Sequence, residues 1–145
     1  MSEKAPQNYK NHARLDPLYH GFLVPVAAAA VIVAIVNVIQ APGWASFFGV
    51  LTAAALAVAA FKVRVYPLKV QDRLIRLEER MRLATLLPEP WRARIGELTE
   101  GQLIALRFAS DAEIPALVEK TLAGNLKPKE IKQSIVSWRA DYFRV

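Results

Sequence analysis

From Pro17 to Phe61 the chain runs for 45 residues without one Asp, Glu, Lys or Arg. A helix in water keeps a polar face, and a stretch of this length that keeps none calls for a different solvent. Residues 22–40 read FLVPVAAAAVIVAIVNVIQ and residues 44–63 read WASFFGVLTAAALAVAAFKV. Each comes close to the ~20 residues that cross a ~30 Å hydrocarbon layer at ~1.5 Å per residue. Ala41, Pro42 and Gly43 separate them, a link too short for anything but a turn, so the pair forms an antiparallel transmembrane hairpin. A cleaved signal peptide fits poorly, because a second full-length apolar segment follows at once. A buried soluble hairpin fits poorly as well, because neither segment carries a polar stripe.

Charge is expelled to the two flanks. The net charge of +6 and pI near 9.8 suggest an anionic partner, yet 54% of residues are hydrophobic, too many for a basic nucleic-acid binder. Lys4, Lys10 and Arg14 precede the first span, seven Lys or Arg lie between Lys62 and Arg82, and the connecting turn has none. The positive-inside rule therefore places both termini in the cytoplasm and Pro42-Gly43 outside. Trp44, Phe47 and Phe48 at the outer end, with Tyr19 and Tyr66 at the inner end, suit interfacial belts. Asn37 and Thr52 are either interhelical hydrogen-bonding groups or polar residues tolerated near headgroups. Small residues such as Ala53, Ala57 and Ala60 permit close helix approach. Without an ionisable group inside the spans, a transporter working alone is disfavoured.

The segment KVRVYPLKVQDRLIRLEERMR (62–82) then continues the second span as a juxtamembrane helix to residue 87, with Pro67 a candidate kink. Lys62, Arg64 and Lys69 fall at the level of lipid headgroups, where each basic residue contributes about 1 kcal/mol. Beyond them, Asp72 with Arg76 and Glu78 with Arg82 are acid-first i,i+4 pairs on a face expected to be solvated. Val70, Leu74, Leu77, Met81 and Ala84 step by 4, 3, 4 and 3, a coiled-coil seam with Arg73 at g and Glu78 at e. Ile75, Leu83 and Leu86 make a second apolar face. Self-association through the seam and packing within the chain are both open on this evidence. No folded nucleic-acid motif accompanies the basic residues, so nucleic acid is not an expected partner.

Pro88 and Pro90 end the long helix, and residues 88–145 read as a small cytoplasmic module of four short helices. They run from Pro88 to Leu98, from a Thr99–Gln102 capping box, from a Ser110 or Asp111 cap to a stop at Gly124, and from Pro128 nearly to the C-terminus. Leu103, Leu106, Phe108, Ile114, Val118, Ile131, Val136 and Trp138 are among the expected core. Strand-like alternation is absent. The fold class is all-α: an N-terminal cytoplasmic segment (1–20), a transmembrane helical hairpin (21–63), a juxtamembrane helix (64–87) and the module (88–145).

The blocks YKNHARLDPLYHGF, LKVQDRLIRLEERMRLATLLP, IGELTEGQLIALRFASDAEIPALV and KEIKQSIVSWRADYFRV cover most of the chain. In them the sequence resembles a family of uncharacterised bacterial two-span membrane proteins, a domain of unknown function. The resemblance implies the bacterial cytoplasmic (inner) membrane and carries no activity, cofactor or catalytic residue with it.

Chemistry-bearing residues are sparse. With no Cys there is neither a disulfide framework nor a thiolate metal site. His12 and His20 are the only histidines, and no Cys or acidic cluster completes a metal or haem site around them. Glu97, Glu100, Asp111 and Glu113 read as caps and solvated turns. Trp138 and Tyr142, four apart in WRADYFRV, are either a docking tail or part of the core. The expectation is a non-enzymatic membrane-anchored adaptor or accessory subunit without a cofactor. Its partners are membrane lipids and a protein, a second copy included, bound through Val70, Leu74, Leu77, Met81, Trp138 and Tyr142. The alternative is a cofactor- or metal-binding subunit of a membrane enzyme complex that uses His12 and His20.

Overall fold

One helix dominates the architecture: α2, Trp44–Leu86, runs 43 residues through Pro67 without a break. In the computed structural model, which describes residues 6–12 and 15–141, the chain is all-helical and has no named strand among those residues. A π-helical turn, Tyr19–Leu23, leads into α1, Val24–Gln40. After α2 come a 3₁₀ helix, Arg92–Glu97, and three short helices: α3 Glu100–Leu106, α4 Ile114–Gly124 and α5 Pro128–Ser134. The described residues form two compact units, one within 15–69 and the other made of 6–12 with 70–141.

The apolar unit holds α1 and the first part of α2. Asp16 opens it: its carboxylate accepts the Tyr19 N–H at 3.0 Å. That backbone bond is the chief reason its carboxyl titrates below the usual aspartate range, with the Leu18 amide, Arg64 and His20 adding to it. Residues 41–43 make the turn between the helices, where the Ser46 hydroxyl lies 2.7 Å from Ala41 O and 3.0 Å from Gly43 O. The more covered positions of α1 include Ala27, Ala30, Ala34 and Val38; those of α2 include Gly49, Ala53, Ala57 and Ala60. Small residues thus occupy the inner faces, and large ones such as Ile32, Phe48, Leu56 and Phe61 point outward. That is the reverse of a helix pair in water. Both Tyr19–Gln40 and α2 are long and apolar enough to cross a membrane. The Thr52 hydroxyl donates to Phe48 O in its own helix at 2.9 Å, and Asn37 is exposed, so neither bridges the two helices.

The helical unit packs α3, α4 and α5 on the last turns of α2. Leu83 of α2 and Leu87, just beyond its end, join Leu103, Leu106, Phe108, Ile114, Val118 and Ile131 in one fully buried core. The capping box expected at Thr99 is present, with Thr99 N–H donating to Gln102 Oε1 at 2.8 Å and Gln102 N–H to Thr99 Oγ1 at 3.3 Å. Gln102 also donates to Leu126 O at 3.0 Å, which ties the start of α3 to the α4–α5 link.

Four local expectations fail, each for a physical reason. Residues 92–97 form a 3₁₀ rather than an α-helix, in a short span between prolines and the Thr99 cap. Gly124 belongs to α4, and the left-handed residue that ends the helix is Asn125, at φ 45°. Ser110 and Asp111 do not cap α4 by side chain; its N-cap is Glu113, and Asp111 faces Arg82 instead. The last helix stops at Ser134 rather than running on. Ile135 is extended, and the chain pairs with residues 108–110 through Ser110 N–H to Ser137 O (3.1 Å) and Arg139 N–H to Phe108 O (2.7 Å). The Glu113 carboxylate holds the departing chain by accepting from Val136 N–H and Ser137 N–H. Val136 is consequently 88% exposed and leaves the core in which the pattern placed it.

Candidate functional site

The two apolar faces of α2 have different fates. Ile75 and Leu83 are buried and Leu86 packs on the core, so the second face is the one the helical unit covers. The seam is open: Val70 is 69%, Leu74 53%, Leu77 57% and Met81 65% exposed. At about 100° per residue the two stripes point to roughly opposite sides of the helix. The helices that seal one stripe therefore leave the other bare. Sealing such side chains stabilises by roughly 25 cal/mol per Å² of apolar surface.

Glu79 lies on the covered stripe, one turn from Ile75 and one from Leu83, and is only 4% exposed. Its Oε2 accepts from Arg82 Nη1 at 3.0 Å, and its Oε1 stands 3.5 Å from Arg139 Nη1. Burial is the larger influence and pushes its carboxyl above the usual glutamate range, against the pull of Arg82, Arg139 and Arg107. Arg82 reaches on to Asp111 Oδ1 through Nε (2.8 Å) and to Ala109 O through Nη2 (2.7 Å). Beside this network a cleft of about 230 Å³ is lined by Ile75, Glu79, Arg107, Arg139 and Asp141, among others. Arg107 Nε lies 3.4 Å from Asp141 Oδ2, and its guanidinium covers the Phe108 ring at 4.5 Å. Acids and bases around the cleft thus neutralise one another across elements. The arrangement fits a joint between α2 and the segment after α5 better than a poised acid and base.

The i,i+4 pairs expected on α2 are replaced by other connections, two of them long-range. Arg82 pairs with Glu79 and Asp111 rather than Glu78, and Arg76 pairs with Glu100 while its Nε donates to Asp72 O at 3.2 Å. The face expected to be solvated is therefore partly an interior one. The sequence carries a signal for it: Glu79 sits at helical spacing between Ile75 and Leu83, a charge in the middle of an apolar stripe.

The segment before the apolar hairpin joins the same unit as the segments after it. Gln7 Nε2 donates to Asp141 O at 3.1 Å and its Oε1 accepts the Asp141 N–H at 2.8 Å. His12 Nδ1 is 2.7 Å from Tyr9 O, which can only accept, so Nδ1 carries the proton. Nε2 is then left to accept from Lys132 Nζ at 3.2 Å. The ring also lies against Phe108 and Trp138, at centroid distances of 5.6 and 5.8 Å. Trp138 is therefore occupied within the unit, at an isolated bridge to Ala109 rather than on a helix, and Tyr142 lies outside the described residues. In the apolar unit, His20 Nδ1 is 2.9 Å from Asp16 O. Among the described residues no three His, Cys, Asp or Glu side chains are grouped as metal ligands. Of the basic residues expected at headgroups, Lys62 and Lys69 are exposed; Lys62 Nζ stands 5.0 Å from the Tyr66 ring and Arg64 lies over Tyr19 at 5.7 Å.

These features define a class: an all-helical protein that couples two long apolar helices to a small, densely ion-paired helical unit. The chain belongs to DUF6526, a family of unknown function whose model matches residues 1–145. No curated protein and no solved structure matches it.

Proposed function

We propose that this chain is a non-enzymatic, membrane-anchored adaptor or accessory subunit that presents a helical protein-binding surface on the cytoplasmic side. One observation carries the reading. The outward faces of α1 and of the first part of α2 bear large apolar side chains, and the inward faces bear small ones, as suits helices solvated by lipid. The joining of residues 6–12 to residues 70–141 in one unit supports a hairpin whose two ends share a side. The asymmetry of Lys and Arg supports the cytoplasm as that side, and the resemblance supports a bacterial inner membrane. Lys62, Arg64 and Lys69 then meet lipid headgroups. The charged groups of the helical unit serve as internal joints, which leaves its apolar α2 stripe as the surface for a protein.

The chain has no cysteine, so single thiols report topology directly. In intact cells, a membrane-impermeant thiol reagent labels Gly43→Cys and leaves Ser137→Cys unlabelled until the membrane is opened. Labelling of Ser137→Cys from outside reverses the orientation, and recovery of the chain in the soluble fraction removes the anchor. An optical spectrum and metal analysis of the detergent-purified protein address chemistry separately. A stoichiometric metal or chromophore there replaces this reading with a cofactor subunit that uses His12 and His20.

A further inference from the structure

We infer that the open face of α2, Val70, Leu74, Leu77 and Met81, is the seat of a second copy of this chain, packed in parallel. Its spacing assigns Leu74 and Met81 to a and Val70 and Leu77 to d, which leaves Arg73 at g and Glu78 at e. In a parallel pair, g of one helix faces e of the next heptad on its partner, so Arg73 of each copy meets Glu78 of the other. The surface is thus complementary to itself in charge as well as in shape, as a two-fold interface requires. Both residues are exposed, and neither has an ion-pair partner among the described residues, unlike Arg76, Glu79 and Arg82 on the covered side.

Two further considerations select a second copy. The core of the helical unit packs on the opposite side of α2, and the seam side chains stay more than half exposed, with Leu74 and Glu78 bordering the cleft that Arg139 and Asp141 line. The parallel orientation rests on the membrane-anchor reading: two copies inserted the same way into one bilayer bring their α2 helices together side by side and in register. The seam spans little more than two heptads, short for association in free solution. Tethering to one membrane raises the effective concentration and makes a short seam sufficient.

The test uses the full chain in host-cell membranes, with Leu77→Cys on the seam and Glu119→Cys on an exposed face of α4 as the collision control. Mild oxidation gives a disulfide-linked dimer at Leu77→Cys that is roughly fivefold or more above the control, because d positions face each other. Arg73→Glu, added to Leu77→Cys, reduces that band several-fold by setting like charges opposite each other. The double swap Arg73→Glu with Glu78→Arg restores it. Restoration by two changes in one chain is expected only if the partner is another copy. All three side chains are exposed, so the fold tolerates the changes, which far-ultraviolet circular dichroism verifies. Equal bands at residues 77 and 119, or an Arg73→Glu band of undiminished strength, overturns the inference. A chain that is membrane-integrated yet fails to cross-link removes the dimer and keeps the anchor. A soluble chain that cross-links at Leu77→Cys removes the anchor and keeps the seam.

Discussion

Arg82 and Asp111, 29 residues apart, meet through two guanidinium nitrogens on one carboxylate oxygen, Nε at 2.8 Å and Nη2 at 2.5 Å. The contact ties α2 to the turn before α4, and the same guanidinium also holds Glu79 and Ala109 O. The Arg82 side chain is 12% exposed, so its bonds work largely away from water, whereas Asp111 lies mostly in solvent.

Arg82→Ala is expected to destabilise the helical unit by about 3 kcal/mol, since it strips a buried carboxylate of its nearest cation. Arg82→Lys recovers only part of this, because a single ammonium cannot span Asp111, Glu79 and a carbonyl at once. Thermal unfolding of the full chain in detergent, followed by loss of the Trp91 and Trp138 fluorescence environment, measures both. A lysine variant as stable as the parent contradicts the geometric argument.

Glu79 makes a prediction about pH. Burial raises its folded carboxyl above the unfolded value near 4.5, so between those two values the folded state binds more protons. Its contribution to stability is therefore fully present below about pH 4.5 and is lost as pH rises through the folded value. Glu97 has the opposite sense, lowered by its hydrogen bonds from Arg94, and contributes equally to both proteins in a comparison of parent and Glu79→Gln. The stability difference, parent minus variant, should decline as pH rises from 4.5 and then level off. At pH 7, Glu79→Gln should cost no more than about 1 kcal/mol, as it keeps the shape and an acceptor. Glu79→Ala should cost about 2–4 kcal/mol, because it leaves a cavity beside buried guanidinium groups. A difference that grows with pH contradicts the assignment.

What was legible in the sequence divides along physical lines. The boundaries of α1 and the start of α2 follow from an absence of charge and a Pro-Gly turn, signals that depend on no other part of the chain. The Thr99–Gln102 box and Pro128 at the start of α5 are equally local. The end of α5 is not local: the chain leaves the helix at Ile135, and Glu113, more than 20 residues earlier, accepts the Val136 and Ser137 N–H groups. The partners of Arg76 and Arg82 are non-local in the same way. A neighbour at i,i+4 is visible in sequence, whereas Glu100 and Asp111 become neighbours only after the chain folds back. The seam of α2 was visible as a pattern, but which of two apolar faces the unit would cover depended on packing alone.

Gly101 is a close-packing prediction. A Cβ built there would stand 2.9 Å from Pro128 Cγ, where the start of α3 meets the start of α5. Gly101→Ala should destabilise by about 1–2 kcal/mol, although alanine is the better helix former, because the ring and the helix must separate. Combining it with Pro128→Ala should cost less than the sum of the two single changes, since the second removes the atom that clashes. Strict additivity in chemical or thermal denaturation refutes a direct contact.

Gln7 and Asp141 give the last prediction. The Gln7 carboxamide donates to Asp141 O at 3.1 Å and accepts the Asp141 N–H at 2.8 Å, so a side-chain amide stands where a neighbouring strand's peptide would be. Gln7→Ala removes both bonds, and the net loss should be about 1–2 kcal/mol because water replaces part of each. Gln7→Glu keeps the acceptor for the Asp141 N–H but loses the donor, and sets a carboxylate against a carbonyl oxygen, so it should fall near the alanine variant rather than the parent. Hydrogen exchange in the full chain reads this locally. The Asp141 amide should exchange roughly five- to thirtyfold faster in both variants, while the amides of α3 and α4 in the core keep their protection. Faster exchange throughout the unit would make Gln7 a global stabiliser. Unchanged exchange at Asp141 would mean that residues 6–12 do not hold the segment after α5 in solution.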